Sequence, residues 1–404
     1  MRRTLIIIAA VVVLAGIGAA GYFYFFNNTA DVAVIPNATN GEGLPIIDET
    51  APVTEVGETS TTTIISPNTP VQGAAARLVK ISEGPVVPGA IVVNKKAAAS
   101  STAETRVNYV ERQSGNVYSY VTDTTARTRT SNKTVPGIQS ASWLPDGSTA
   151  FVRYLSGENF STVNTYALPA TGSGGFFLSQ NLSDIAVSEA GILTLSSGVN
   201  GSVASLSRID GTRPSEIFTT SLSSLRVSFA GKNQYLAFTK PSARLDGSAF
   251  LVDSSGRFSR IAGPLSGLVA KASPSGKWAL VSHTSGGTMR MNLIQAATGE
   301  SIPLPVATIA DKCVWAADDS VIYCGIPVSP SPNFNYPDDW YQGAAHFSDR
   351  IWKIDVAGRY AQFVLDFEKE DRGSLDATAL AIDSLNTVLV FVNKNDGSLW
   401  SYSL

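Results

Sequence analysis

The chain has 404 residues, of which 16 % are charged, with a formal net charge of -3, 34 glycines and 20 prolines. Charge this sparse, against roughly 25 % in an average soluble chain, together with many turn-forming residues, is the balance of an all-β, extracytoplasmic protein. The small negative net charge excludes binding through a nucleic-acid backbone, and two His with two Cys are too few soft ligands for a standard zinc site, so no nucleic-acid partner, metal or cofactor is expected.

Residues 1–26 open with Arg2 and Arg3 and continue as an uncharged apolar run over residues 4–26. At about 1.5 Å per residue a helix of this length crosses a hydrocarbon core. The two arginines place the N-terminus in the cytoplasm, and Tyr22 to Phe26 suit the outer interface, so the bulk of the chain faces outward. A cleaved signal peptide is the competing reading, because Gly18-Ala19-Ala20 offers small residues. No Cys follows the run, which excludes a lipoprotein anchor. Residues 27–76 are rich in Thr, Ser, Asn and Pro and contain no Lys or Arg, a mix too poor in buried-type residues to fold alone, and are expected to form a disordered, flexible stalk.

From residue 77 a repeat appears, each unit beginning with a strand, a polar turn and a second strand. Trp143-Leu-Pro-Asp146-Gly147 precedes Ala150 to Tyr154, and Ala272-Ser-Pro-Ser275-Gly276 precedes Trp278 to Val281. Similar turns fall near Ala190, Gly231, Asp318 and Leu385, giving steps of 44, 41, 44, 43 and 67 residues from Asp146. A third strand follows in each unit, as at Thr162 to Tyr166 or Arg290 to Ile294, then an edge strand. An earlier unit holds Val107 to Val110 and Val117 to Tyr120 about Ser114-Gly115, making seven. Four short antiparallel strands at a period near 43 residues are one propeller blade, so the fold expected over 77–404 is a seven-bladed β-propeller. The last unit stops at its third strand, Leu399 to Leu404, and Arg77 to Ile81 has no blade of its own; pairing them closes the ring and removes exposed edges.

The hairpin turns W-x-P-D-G at Trp143 to Gly147 and S-P-S-G-K at Ser273 to Lys277, with Thr298-Gly299-Glu300, resemble TolB-type and WD-type propellers over essentially all of 77–404. With Lys312-Cys-Val-Trp-Ala, Val321-Ile-Tyr-Cys324 and Tyr336-Pro-Asp-Asp-Trp-Tyr-Gln-Gly343, the whole chain is similar to uncharacterised membrane-anchored propellers of candidate-phylum bacteria. That resemblance implies localisation and transfers no catalytic residues.

No G-x-S-x-G elbow occurs and no repeated sialidase-type turn is present, so no catalytic residue is assigned. Cys313 and Cys324 flank the Asp318-Asp319 turn at equal distances and face each other on paired strands. A disulfide and a pair of buried thiols both fit; a simple two-residue turn would make them a hydrogen-bonded pair, the less favourable site for a bridge. The long step localises an insertion at 327–349, between the second and third strands of the sixth blade. It concentrates Tyr336, Asp338, Asp339, Trp340, Tyr341, His346, Phe347 and Asp349, together with Phe334. These side chains could stack on a sugar, clamp a peptide or hold calcium; equally, the aromatics could glue the loop to its own blade. As a partner surface, the insertion would present Trp340 and Tyr341 on the outside, both replaceable at little cost in stability. Phe367 to Arg372 reads as a solvated loop.

The reading is a single-pass, outward-facing propeller that acts as a binding or scaffolding module of the cell envelope, with a protein or glycan partner. The alternative is a propeller hydrolase or lyase acting on envelope polysaccharide, which requires two converging carboxylates in the central channel.

Overall fold

The computed structural model describes residues 77–96, 103–370 and 372–404. The expected anchor, residues 1–26, and the expected stalk, residues 27–76, lie outside the described residues. Among the described residues no helix is long and apolar enough to cross a membrane.

Seven four-stranded antiparallel sheets form a ring of blades. Six are continuous in sequence, over residues 91–129, 138–177, 182–220, 225–266, 269–303 and 313–366. The seventh takes three strands from 377–403 and its outermost strand from Leu78–Lys80. Leu78 pairs with Tyr402, Val79 with Ser401 and Lys80 with Trp400, so the ring closes as the sequence requires. Arg77 adds hydrogen bonds from its Nε and Nη2 to the Ser403 carbonyl, at 3.1 and 3.0 Å.

The first strand of each blade is innermost and the fourth outermost. Turns joining first to second and third to fourth strands lie on one face of the ring. Turns joining second to third strands, and the connections between blades, lie on the other. Neighbouring blades cover both faces of the second strands, so these lose period-two alternation: Val321–Pro327 and Val388–Asn393 are buried at every position. Their β-branched and aromatic residues fill the layers between blades.

The first-to-second-strand turns also pack on one another. Gly231 and Gly276 have φ near +76° and +77°, a conformation in which a side chain is strained. A Cβ at Gly231 would lie 2.4 Å from the Ser275 carbonyl oxygen, and one at Gly276 2.4 Å from that of Ala230. Backbone thus meets backbone between the fourth and fifth blades. The sixth blade joins this rim through Asp319, which accepts hydrogen bonds from Ser273 Oγ at 2.8 Å and the Ser275 amide at 3.1 Å.

Cys313 and Cys324 sit opposite each other with Cα atoms 4.1 Å apart and are joined as a disulfide, both fully buried. The parity expected from a two-residue turn is corrected. The Ala316 amide donates to the Val321 carbonyl at 2.9 Å, leaving a four-residue loop, 317–320, and this shifts the alternation by one. The cysteines therefore occupy a close, non-hydrogen-bonded pair. Phe367 is a second correction: only 1 % exposed, it packs on Phe391 at 5.1 Å, while Glu368, Lys369 and Glu370 are exposed as expected.

Candidate binding cleft

The insertion leaves the sixth blade at Pro327 and returns at Asp349, directly across the ladder. Between them the chain forms one helical turn, Asp338–Tyr341. Asp339 accepts the Asn335 amide at 2.7 Å, tying the turn to the segment that leads into it. Tyr336, Trp340 and Phe347 face inward, each 3 % exposed, and join the core of the fourth to sixth blades.

Beneath these rings lies an ionic cluster. Lys312, fully buried, places its Nζ 2.7 Å from Asp349 Oδ2 and on Asp376 Oδ1. Asp376 also accepts Trp340 Nε1 at 3.0 Å and the Phe347 amide at 3.1 Å; Asp349 accepts the Ala377 amide at 2.7 Å. Lys312 lies about 5 Å from the Trp340 and Phe347 rings. Burial pushes the Asp349 carboxyl up to about 6, the Lys312 ammonium opposing this and the Asp376 charge adding to it. Two carboxylates do converge here, but inside the protein and shared by one lysine.

The outer side of the insertion arches over the fifth blade to the fourth. Thr284 of the fifth blade donates its hydroxyl to the Tyr336 carbonyl at 2.9 Å. Asp338 accepts the Ala243 amide at 3.0 Å and the Ser242 hydroxyl at 3.5 Å. The arch encloses a cleft of about 510 Å³ lined by Arg226, Lys240, Pro241 and Ser242 on one wall and Asp338, Tyr341 and Gln342 on the other. At its floor, Arg226 Nη1 lies 2.7 Å from Asp311 Oδ2, and the Tyr341 hydroxyl donates to the same oxygen at 2.7 Å. Burial would push Asp311 up, but the Arg226 charge and the hydrogen bonds from Arg226 and Tyr341 outweigh it and hold the carboxyl below its ordinary range. Tyr341 goes the other way: burial of its hydroxyl and the neighbouring Asp311 charge raise it well above the ordinary phenol value, although the residue as a whole is 40 % exposed. Behind this pair, Lys271 donates to the Cys313 carbonyl, and burial lowers its ammonium.

Of the residues singled out in the sequence, Asp338 and Tyr341 line the cleft. Asp339 is used within the insertion, and His346, exposed, has its Nδ1 3.0 Å from Asn395 Oδ1. Tyr336, Trp340, Phe347 and Asp349 are interior. The expectation that Trp340 is a replaceable surface residue is therefore corrected: its indole is enclosed by the core and hydrogen-bonded to Asp376. The acids of the insertion bind separate partners, and among the described residues no group of three or more His, Cys, Asp and Glu is placed to hold a metal ion. Arg226, Lys240 and Asp311 were missed, because only the arch of the insertion over the fifth blade brings them near residue 341. One signal was available: Arg226 and Lys271 each stand five residues before the glycine of their turn, Gly231 and Gly276, a charge repeated on an otherwise small and apolar innermost strand.

No family model matches the sequence, and no curated protein matches it. Solved structures do. The chain is similar to oligogalacturonate lyase from Vibrio parahaemolyticus, with a TM-score of 0.51 at 9 % identity, over 81 % of this chain and 93 % of that one. What is shared is the β-propeller fold. The β-propeller domain of the trilobed protease from Pyrococcus furiosus aligns with a TM-score of 0.49 at 9 % identity, covering 78 % and 94 % of the two chains. TolB from Acinetobacter baumannii aligns with a TM-score of 0.42 at 13 % identity, covering 67 % and 62 %.

Proposed function

We propose that this chain is a membrane-anchored binding module of the cell envelope, its propeller held outside by residues 4–26 and a stalk over 27–76, with the cleft between the insertion and the fourth blade as its recognition site. The observation that carries the reading is the arch itself. A blade needs only a short turn between its second and third strands, and the ordering of extra chain has a conformational cost. Here the inner half of the insertion is fixed by core packing and the Lys312 cluster, and the outer half forms a cleft wall. The cleft is within the volume range of small-ligand sites and has exposed polar side chains converging on it.

The alternative, a hydrolase or lyase acting on envelope polysaccharide, draws support from the shared fold with an oligogalacturonate lyase. Against it, the converging pair Asp349 and Asp376 is sealed from solvent, and Asp311 is already engaged by Arg226 and Tyr341.

A photo-cross-linking residue at position 342 of the full-length chain, in wall-stripped cells, tests the binding reading. An envelope component should be captured from position 342 and not from position 255, a turn on the opposite face. Protease added to the same cells should cut within 27–76. Equal capture from both positions would refute the cleft, and a stalk protected until lysis would refute the topology.

A further inference from the structure

The cleft contains both signs of charge, but the two signs are not equally available. Asp338 is held by the Ala243 amide and the Ser242 hydroxyl. Asp311 below it takes Arg226 and Tyr341. Two donors are far less occupied. Among the described residues, Lys240 Nζ has no ion pair or hydrogen bond and the Gln342 side-chain amide has none, whereas Arg226 is engaged by Asp311, Tyr341 and the Phe238 ring. Lys240 and Gln342 are exposed. The groups without any partner are thus donors, a cationic head on the wall opposite Gln342, while Asp338 keeps its charge against neutral donors on the insertion's wall.

Resting on the cleft as the recognition site, we infer that its ligand is an acidic carbohydrate, a short run of sugars bearing carboxylates. Lys240 pairs with the sugar carboxylate, and Gln342 binds hydroxyl oxygens. Tyr341, partly exposed, and Pro241 line the cleft and supply apolar surface for a sugar ring. An acidic peptide fits less well. Peptides are commonly held by an open sheet edge or by apolar pockets for alternate side chains. The cleft walls are loop residues, 240–242 and 338–342, and the strand that ends at Thr239 is paired on both sides. The volume of about 510 Å³ suits one or two sugar units at a time.

The test uses the full-length chain in mild detergent with three probes: a mannuronate tetramer, neutral mannotetraose, and hexaglutamate. Calorimetry should show the mannuronate tetramer binding about tenfold or more tightly than mannotetraose, with an affinity that falls as salt is raised, because a charge-assisted hydrogen bond is at stake. Lys240→Ala and Tyr341→Ala should each weaken the mannuronate tetramer about fivefold or more without abolishing folding, checked by melting temperature. Equal binding of mannotetraose, or binding of hexaglutamate in preference to both glycans, overturns the acidic-carbohydrate inference; if either variant still weakens that binding, the cleft stands as the site. Mannuronate binding untouched by both variants, in proteins that melt normally, overturns the cleft itself. Binding of none of the three probes overturns the inference and leaves the cleft to be judged by the capture from position 342.

Discussion

Trp340 and Tyr341 are neighbours in sequence with opposite roles. Trp340 is 3 % exposed, inside the core and bonded to Asp376, whereas Tyr341 is 40 % exposed and lines the cleft. Trp340→Ala should therefore cost about 3 to 5 kcal/mol, as expected for loss of a buried aromatic, and Tyr341→Ala, which removes one hydrogen bond to Asp311, about 1 to 2 kcal/mol. Denaturant titration of the two variants separates the roles; equal small losses would show that the insertion is not part of the core. Asp349 gives a pH-dependent counterpart. Its carboxyl is raised to about 6 by burial, so the folded chain holds that proton more tightly than the unfolded chain, where the group titrates near the ordinary value of about 4. This group's contribution to folding is full at pH below about 4 and is lost as pH rises through about 6. The groups facing it are Lys312 and Asp376. Asp349→Asn should flatten the stability profile between pH 4 and 6 by on the order of 2 kcal/mol, measured by melts across that window. An unchanged slope would mean that Asp349 does not titrate there.

Among the elements, the strand Leu78–Lys80 has a leverage out of proportion to its three residues. It is the fourth strand of a blade whose other strands come from the far end of the chain, and Leu78, 2 % exposed, belongs to the core between the sixth and seventh blades. Deleting residues 77–82 should expose the edge at Leu399–Ser403 and lower the melting temperature of the whole domain, while deleting 27–70 should not. Equal melting temperatures for the two truncations would rule out the closing strand as a source of stability. The hairpin turns were legible in the sequence because their chemistry is local: Gly147, Gly231 and Gly276 supply positive φ, and Asp146 caps its own turn through the Ser148 amide. The strand Ile91–Lys96 was not legible, since the Ala-rich stretch that follows it carries no Asp or Gly to mark a turn. Long-range contacts were legible only where symmetry demanded them, as at ring closure. The Lys312 cluster and the Arg226 to Tyr341 network follow from no local rule, and a buried indole and an exposed phenol look alike in a string of aromatics.

At the level of the whole molecule, the direction of the closing strand fixes more than stability. Leu78–Lys80 runs antiparallel to Leu399–Ser403, and its two ends lie on different faces of the ring. The Arg77 carbonyl accepts the Ser403 amide, and the adjacent Leu404 amide bonds Thr387, in a first-to-second-strand turn; Ile81, at the other end, bonds Leu399, next to a second-to-third-strand turn. Chain joined to Arg77 therefore enters from the face opposite the insertion. The point of entry at Arg77 is thus set apart, by the thickness of the ring, from the loops 240–242 and 338–342 that line the cleft.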